Sequence, residues 1–211
     1  MSTISIPPLL LLSLCLSACV SQDFKTYDRY LASKNIPAPT VEQFPHCHAY
    51  GCASHYLVEL NKSQWKQIDK IFARPSKNAA QERERIIKAV GLFERMVGGM
   101  TGTDADVKGT FRKTGENQLD CVDESTNTTI YLDLLKQRGH LTFHDIEQPQ
   151  IRLPFVGGGA WIHQTAVMRE RESGIDYAVD SWFYDNGIEP VIVPLEDWRK
   201  GWKPEGWSEL G

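Results

Sequence analysis

The sequence predicts an α+β protein with a cysteine at the start of one helix and an antiparallel hairpin after it. Three observations predict it: helical stripes of apolar residues over residues 63–97, a capped helix starting at Cys121, and a hairpin pattern over residues 160–183. Of 211 residues, 41% are hydrophobic and 24% charged, too apolar for a disordered chain and too charged for a multi-span membrane protein. With 23 Lys+Arg against 27 Asp+Glu, the net charge of −4 provides no field to collect phosphates, so no nucleic-acid partner is expected.

The N-terminus comes first. Residues 9–16 read LLLLSLCL, too short to span a bilayer as a helix but as long as the apolar region of a secretory signal. Leu16-Ser17-Ala18-Cys19 resembles the lipobox of bacterial lipoproteins, which implies cleavage before Cys19 and a lipid on its sulfur. An ordinary cleaved signal is the alternative, since no Lys or Arg precedes Lys25. The lipoprotein reading makes residues 1–18 a signal peptide and leaves 211 − 18 = 193 residues in the cell envelope. By family expectation, Val20 favours the outer membrane, facing the periplasm.

Residues 19–45 read as a lipidated tether with one short helix over 24–31, ended by Ile36-Pro37-Ala38-Pro39, and residues 46–211 as a single domain. Three thiols remain in the mature chain: Cys47, Cys52 and Cys121. In an oxidising compartment the natural division is a Cys47–Cys52 disulfide and a free Cys121. Zinc held among His46, Cys47, His48, Cys52 and His55 is the alternative, although three consecutive residues do not easily face one ion, and free structural thiols are another. The block Ser54–Leu60 has strand composition. Ser63 is the expected cap of a helix carrying Trp65, Ile68, Ile71 and Phe72. A second helix is expected from Ala79 to Met96 with Ile86, Val90, Phe93 and Val97 on one face, the run Glu82-Arg83-Glu84-Arg85 in solvent, and Gly98-Gly99 as its stop.

Asp120 is a good N-cap for a helix with Val122, Ser125, Thr129 and Leu132 along one face and Gly139 as its stop. Cys121 then sits in the first turn, where unpaired N–H groups favour a thiolate; Asp120, Asp123 and Glu124 oppose it, and a nearby imidazolium would tip the balance. Residues 160–169 and 175–183 flank a turn at Glu172-Ser173-Gly174. If Arg169 pairs Gly174, His163 faces Asp180; a two-residue turn separates them by four positions, about 13 Å. Trp161 and Trp182 share that face and would wall it from water. His140 and His144 read as surface or edge-strand residues, and Trp198, Trp202 and Trp207 as a C-terminal helix and tail packed on the core. Gly157-Gly158-Gly159 reads as a flexible loop, with no phosphate-loop Lys-Ser/Thr after it.

Asp120-Cys121-Val122-Asp123-Glu124, Trp161-Ile162-His163 and Tyr177-Ala178-Val179-Asp180 resemble the Cys, His and Asp motifs of the transglutaminase-like superfamily, in particular its bacterial cysteine-proteinase branch. The resemblance spans residues 115–185 and implies a papain-like α+β core with the cysteine-bearing helix packed on an antiparallel sheet. It implies Cys121 as nucleophile, His163 as general base and Asp180 as the group orienting the imidazole, in acyl transfer through a thioester. Gln118 or Asn117 is the upstream candidate for an oxyanion donor, with Gln118 preferred. The implied substrate is a protein or a peptidoglycan peptide, with no cofactor and no metal. A catalytically silent binding or scaffolding lipoprotein of the same fold is the alternative from a different functional class.

Overall fold

The computed structural model describes residues 26–111, 115, 117–153 and 162–207. The signal segment with Cys19, the Gly157–Gly159 run and Trp161 lie outside the described residues. Among the described residues, five α-helices and six strands follow in order: α1 Thr26–Ser33, β1 Phe44–His48, β2 Ser54–Val58, α2 Lys62–Ile71, α3 Ala79–Thr101, α4 Cys121–Gln137, β3 His144–Arg152, β4 His163–Glu170, β5 Asp176–Asp180, β6 Val191–Pro194 and α5 Leu195–Arg199. Strands β1 and β2 make an antiparallel ribbon; β3-β4-β5-β6 make a four-stranded antiparallel meander. The α+β class is therefore as expected. No helix among the described residues is long and apolar enough to cross a membrane.

Both faces of the meander are covered. Ala166, Met168 and Val179 join the main core with α1, α2, α3, α4, β1 and β2, whereas Val167 and Ala178 pack with Leu195 and Trp198 of α5 on the opposite face. Phe93 anchors the main core, stacked on Tyr131 at 4.8 Å and edge-on to Trp65 at 5.7 Å. Aromatic pairs at these spacings contribute about 0.5–1.5 kcal/mol each beyond the area they bury.

Several local expectations are corrected. In the described part of the expected tether, Tyr27, Leu31 and Ile36 are buried in the main core. Asn61 rather than Ser63 caps α2, through a capping box with Gln64. Helix α3 runs through Gly98 and Gly99 to Thr101, and the left-handed residue that ends it is Gly102, at φ 83°. Gly98 is needed as glycine because a Cβ there would meet Asn186 and the backbone of Asp104 at 2.7–3.0 Å. Glu82 is not in solvent: it is fully buried, accepting from the N–H groups of Thr142 and Phe143 and bonded to His144 at 2.9 Å. His144 accordingly lies on an edge strand, β3, as one of the two expectations had it, but as a buried partner rather than a surface residue.

Candidate active site

Helix α4 begins where the local sequence says it should. Asp120 accepts from the N–H groups of Val122 and Asp123, and Asp123 returns a bond to the Asp120 N–H, closing a capping box around Cys121. Cys121 is thus the first helical residue, 8% exposed, in a cluster with Trp182 and Phe183.

The hairpin registers differently from both expectations. Arg169 pairs with Asp176, and the five residues 171–175 connect β4 to β5. Extending the register beyond Ala166–Val179 puts Thr165 opposite Asp180, so His163 lies on the same face, two positions further along. That diagonal is within reach of a long side chain: His163 Nε2 lies 2.8 Å from Asp180 Oδ2. Both side chains are almost fully buried. Trp198 of α5 donates its indole N–H to the same Oδ2 at 2.7 Å. Trp182 covers the imidazole at 4.4 Å between ring centres. His163 Nδ1 is buried and makes no hydrogen bond. With Nε2–H donated to a carboxylate, the neutral ring carries its lone pair on Nδ1.

The sulfur sits beside the start of β4. The backbone N–H groups of Gln164 and of Cys121 itself lie against it. Burial nevertheless pushes the thiol up to about 12, and the charges of Asp120 and Asp180 push the same way, outweighing the two N–H groups. The resting group is therefore a protonated thiol: the helix end alone does not suffice, and Asp120 opposes it as the sequence suggests.

Behind α4 lies a buried carboxyl trio. Ser181 donates to Glu124 Oε2 at 2.8 Å, Asp106 is hydrogen-bonded to Glu124, and Glu94 accepts from Gly187 N–H at 3.0 Å. Burial first, then the Glu124 charge, raises Asp106 to about 9. No group of three His, Cys, Asp or Glu among the described residues is arranged to hold a metal ion.

Other candidate residues are placed as follows. Cys47 and Cys52 are paired, with Cα atoms 4.8 Å apart. The zinc alternative loses its ligands: both ring nitrogens of His46 are engaged, by Tyr131 and Thr103, and His48 stacks on Tyr56. Gln118 spends its amide on the 105–110 loop, donating to Ala105 O at 2.7 Å and accepting from the N–H of Val107 and the hydroxyl of Thr110. Asn117 packs against Gly102. Neither amide is placed at the sulfur, where the backbone N–H of Gln164 lies instead; only its adjacency to His163 in the sequence hints at it. Trp198 was also missed as a partner of Asp180; a Trp in a short C-terminal helix signals packing, not a hydrogen bond. No family model, curated protein or solved structure matches the chain.

Proposed function

We propose that the chain is a cysteine hydrolase of transglutaminase-like, papain-like design, acting on amide bonds of a protein or peptidoglycan peptide as a lipid-anchored component of the cell envelope. The observation that carries the reading is the His163–Asp180 pair, whose Nε2 is fixed by the carboxylate while Nδ1 stays buried without a partner. An unpaired buried acceptor costs about 1–3 kcal/mol, and a proton brought to Nδ1 would relieve it. A helix-start cysteine on an antiparallel sheet that carries His and Asp on neighbouring strands supports the fold reading.

Because the resting thiol is neutral, proton removal accompanies attack rather than preceding it. Nδ1 of His163 takes the thiol proton as sulfur attacks the carbonyl carbon, and Asp180 stabilises the imidazolium that forms. The N–H groups of Cys121 and Gln164 are the donors available to the oxyanion. The imidazolium returns the proton to the leaving amine, giving a thioester, which water then hydrolyses with the same histidine as base. Trp182 and Trp198 keep bulk water from the His–Asp bond.

The test is turnover of a p-nitrophenyl ester, with intact-mass detection of the acyl group on Cys121. The expected result is acylation at Cys121 in the wild type, none in Cys121→Ser, and turnover about 100-fold or more lower in His163→Ala. Turnover retained in Cys121→Ser would sink the proposal. The burial that raises the thiol favours a second reading, a catalytically silent binding module, for which the wild type stays unacylated.

A further inference from the structure

The loop joining β1 to β2 has an unusual backbone. Ala49, Tyr50, Gly51 and Cys52 all lie in the left-handed region, with φ of 69°, 66°, 71° and 57°. Three of the four carry a Cβ, which disfavours that conformation, so a run of this kind persists only where its surroundings impose it.

Two constraints surround this run. The Cys47–Cys52 bridge closes the loop across its ends. The other is helix α4. Tyr50 N–H donates to Asp123 Oδ2 at 2.9 Å, Cys52 N–H to Asp123 Oδ1 at 2.7 Å, and Gly51 N–H to Asp120 Oδ2 at 2.9 Å. One turn further along, Asn127 accepts from Cys47 N–H at 2.6 Å and donates to Cys47 O at 3.0 Å. Asp120, Asp123 and Asn127 are spaced by three and four, so they form one stripe of α4 that grips the loop by its backbone. Cys121 lies between the first two. Asp120 works in both directions, since its other oxygen caps the helix that presents the thiol.

We propose that the Cys47–Cys52 loop positions the Cys121 thiol: the bridge holds the left-handed run, the run's N–H groups hold Asp120 and Asp123, and those side chains fix the first turn of α4 beside the His163 strand. This rests on Cys121 being the reactive group. Opening the bridge takes two electrons from a dithiol, which leaves as its own disulfide, and a proton is added to each of Cys47 and Cys52. The loop then relaxes towards ordinary backbone. Asp123, which has no solvent to turn to, loses two donors. The first turn of α4 frays, and Cys121 meets water as an unconstrained thiol.

The experiment is the pH profile of Cys121 alkylation by iodoacetamide on the full chain, read from the mass of the Cys121 peptide, before and after reduction with dithiothreitol. With the bridge closed, the midpoint lies above the free-thiol value of about 8.5; with it open, the midpoint falls to about that value and the rate at pH 8 rises about tenfold. Asp123→Ala with the bridge closed gives the same shift, and reducing that variant adds nothing, because both changes release the loop from the same side chain. Identical profiles in closed and open forms overturn the proposal, as does a multiplicative effect of Asp123→Ala and reduction. If reduction abolishes the far-UV circular dichroism, Asp123→Ala carries the test alone, and an unchanged profile overturns it. His163→Ala in the closed form reads the nucleophile–base couple separately, so either idea can fail without the other.

Discussion

Raising the pH from 7 to 9 perturbs the carboxyl trio behind α4 and is expected to lower the stability of the fold. Asp106 is 4% exposed and, at about 9, far above its ordinary value of 3.8. Between those values the folded protein holds a proton that the unfolded chain has released. Stability is therefore greatest below the unfolded value and is lost as pH rises towards the folded one, by about 1.4 kcal/mol per unit while Asp106 remains protonated. Integrated to half-titration at about 9, the loss over this window is about 2 kcal/mol. The window excludes the opposite effect of His46, which burial holds down at about 3 and which is neutral in both states above pH 7. Glu94 and Glu124, also raised by burial, act in the same direction as Asp106. Asp123, at about 7, is half-titrated at the start of the window and adds a smaller loss in the same direction. Cys121, at about 12, adds its own loss above the ordinary thiol value. Glu124→Gln removes the neighbouring charge and offers an amide donor to Asp106, so the loss should fall to about half. Urea unfolding followed by tryptophan fluorescence at pH 7, 8 and 9 measures it. Stability that is flat or rising over that range, or a slope unchanged in Glu124→Gln, refutes the reasoning.

Trp198→Phe keeps an aromatic ring but deletes the indole N–H on Asp180 and part of the buried bicycle; it should cost about 2–4 kcal/mol in chemical denaturation and lower ester turnover by weakening the hold on His163. Gly98→Ala and Gly99→Ala should act in opposite directions in thermal melts. The first puts a Cβ 2.7 Å from Asn186 Nδ2 and costs about 1–3 kcal/mol; the second meets nothing within 4 Å and gains about 0.5–1 kcal/mol.

What was legible in the sequence is what local chemistry decides. Asp120 with Asp123 three residues later is a capping box, and Gly139, at φ 75°, follows the helix it was expected to stop. The face shared by His163 and Asp180 survived an error of two in the register because any even shift preserves it. Strand β3 was not legible: Pro149 breaks its donor pattern, and its pairing with β4 shifts between Glu147 and Gln150. The buried Glu82 was invisible for another reason. Its partners, Thr142, Phe143 and His144, lie about sixty residues away, so a charge run at a helix start read as solvated. Strand β4 shows no inside–outside alternation because α4 covers one face and α5 the other.

Helix α4 explains why so much of the candidate site could be read only once the chain was folded. The stretch Glu124-Ser125-Thr126-Asn127-Thr128-Thr129 is buried although every residue in it is polar, so no apolar stripe marks which way the helix faces. Three of these residues return their hydroxyls to the helix's own backbone: Ser125 to Cys121 O, Thr126 to Val122 O and Thr129 to Ser125 O. The outward bonds go in different directions: Asn127 to the disulfide loop, Thr126 to Tyr30, Ser125 to Gln164, and Glu124 and Thr128 to Ser181. An apolar helix of the same volume would bury as well but could rotate or slide with little penalty. Here each displacement leaves a buried donor or acceptor unpaired, at about 1–3 kcal/mol apiece. The polar content of α4 therefore fixes its rotation and register, and with them the place of the sulfur at its first residue. Gln164 and Ser181 are the two outward partners that matter most for this argument, because each adjoins a member of the candidate triad: the bonds that hold the helix also tie Cys121 to the strands bearing His163 and Asp180.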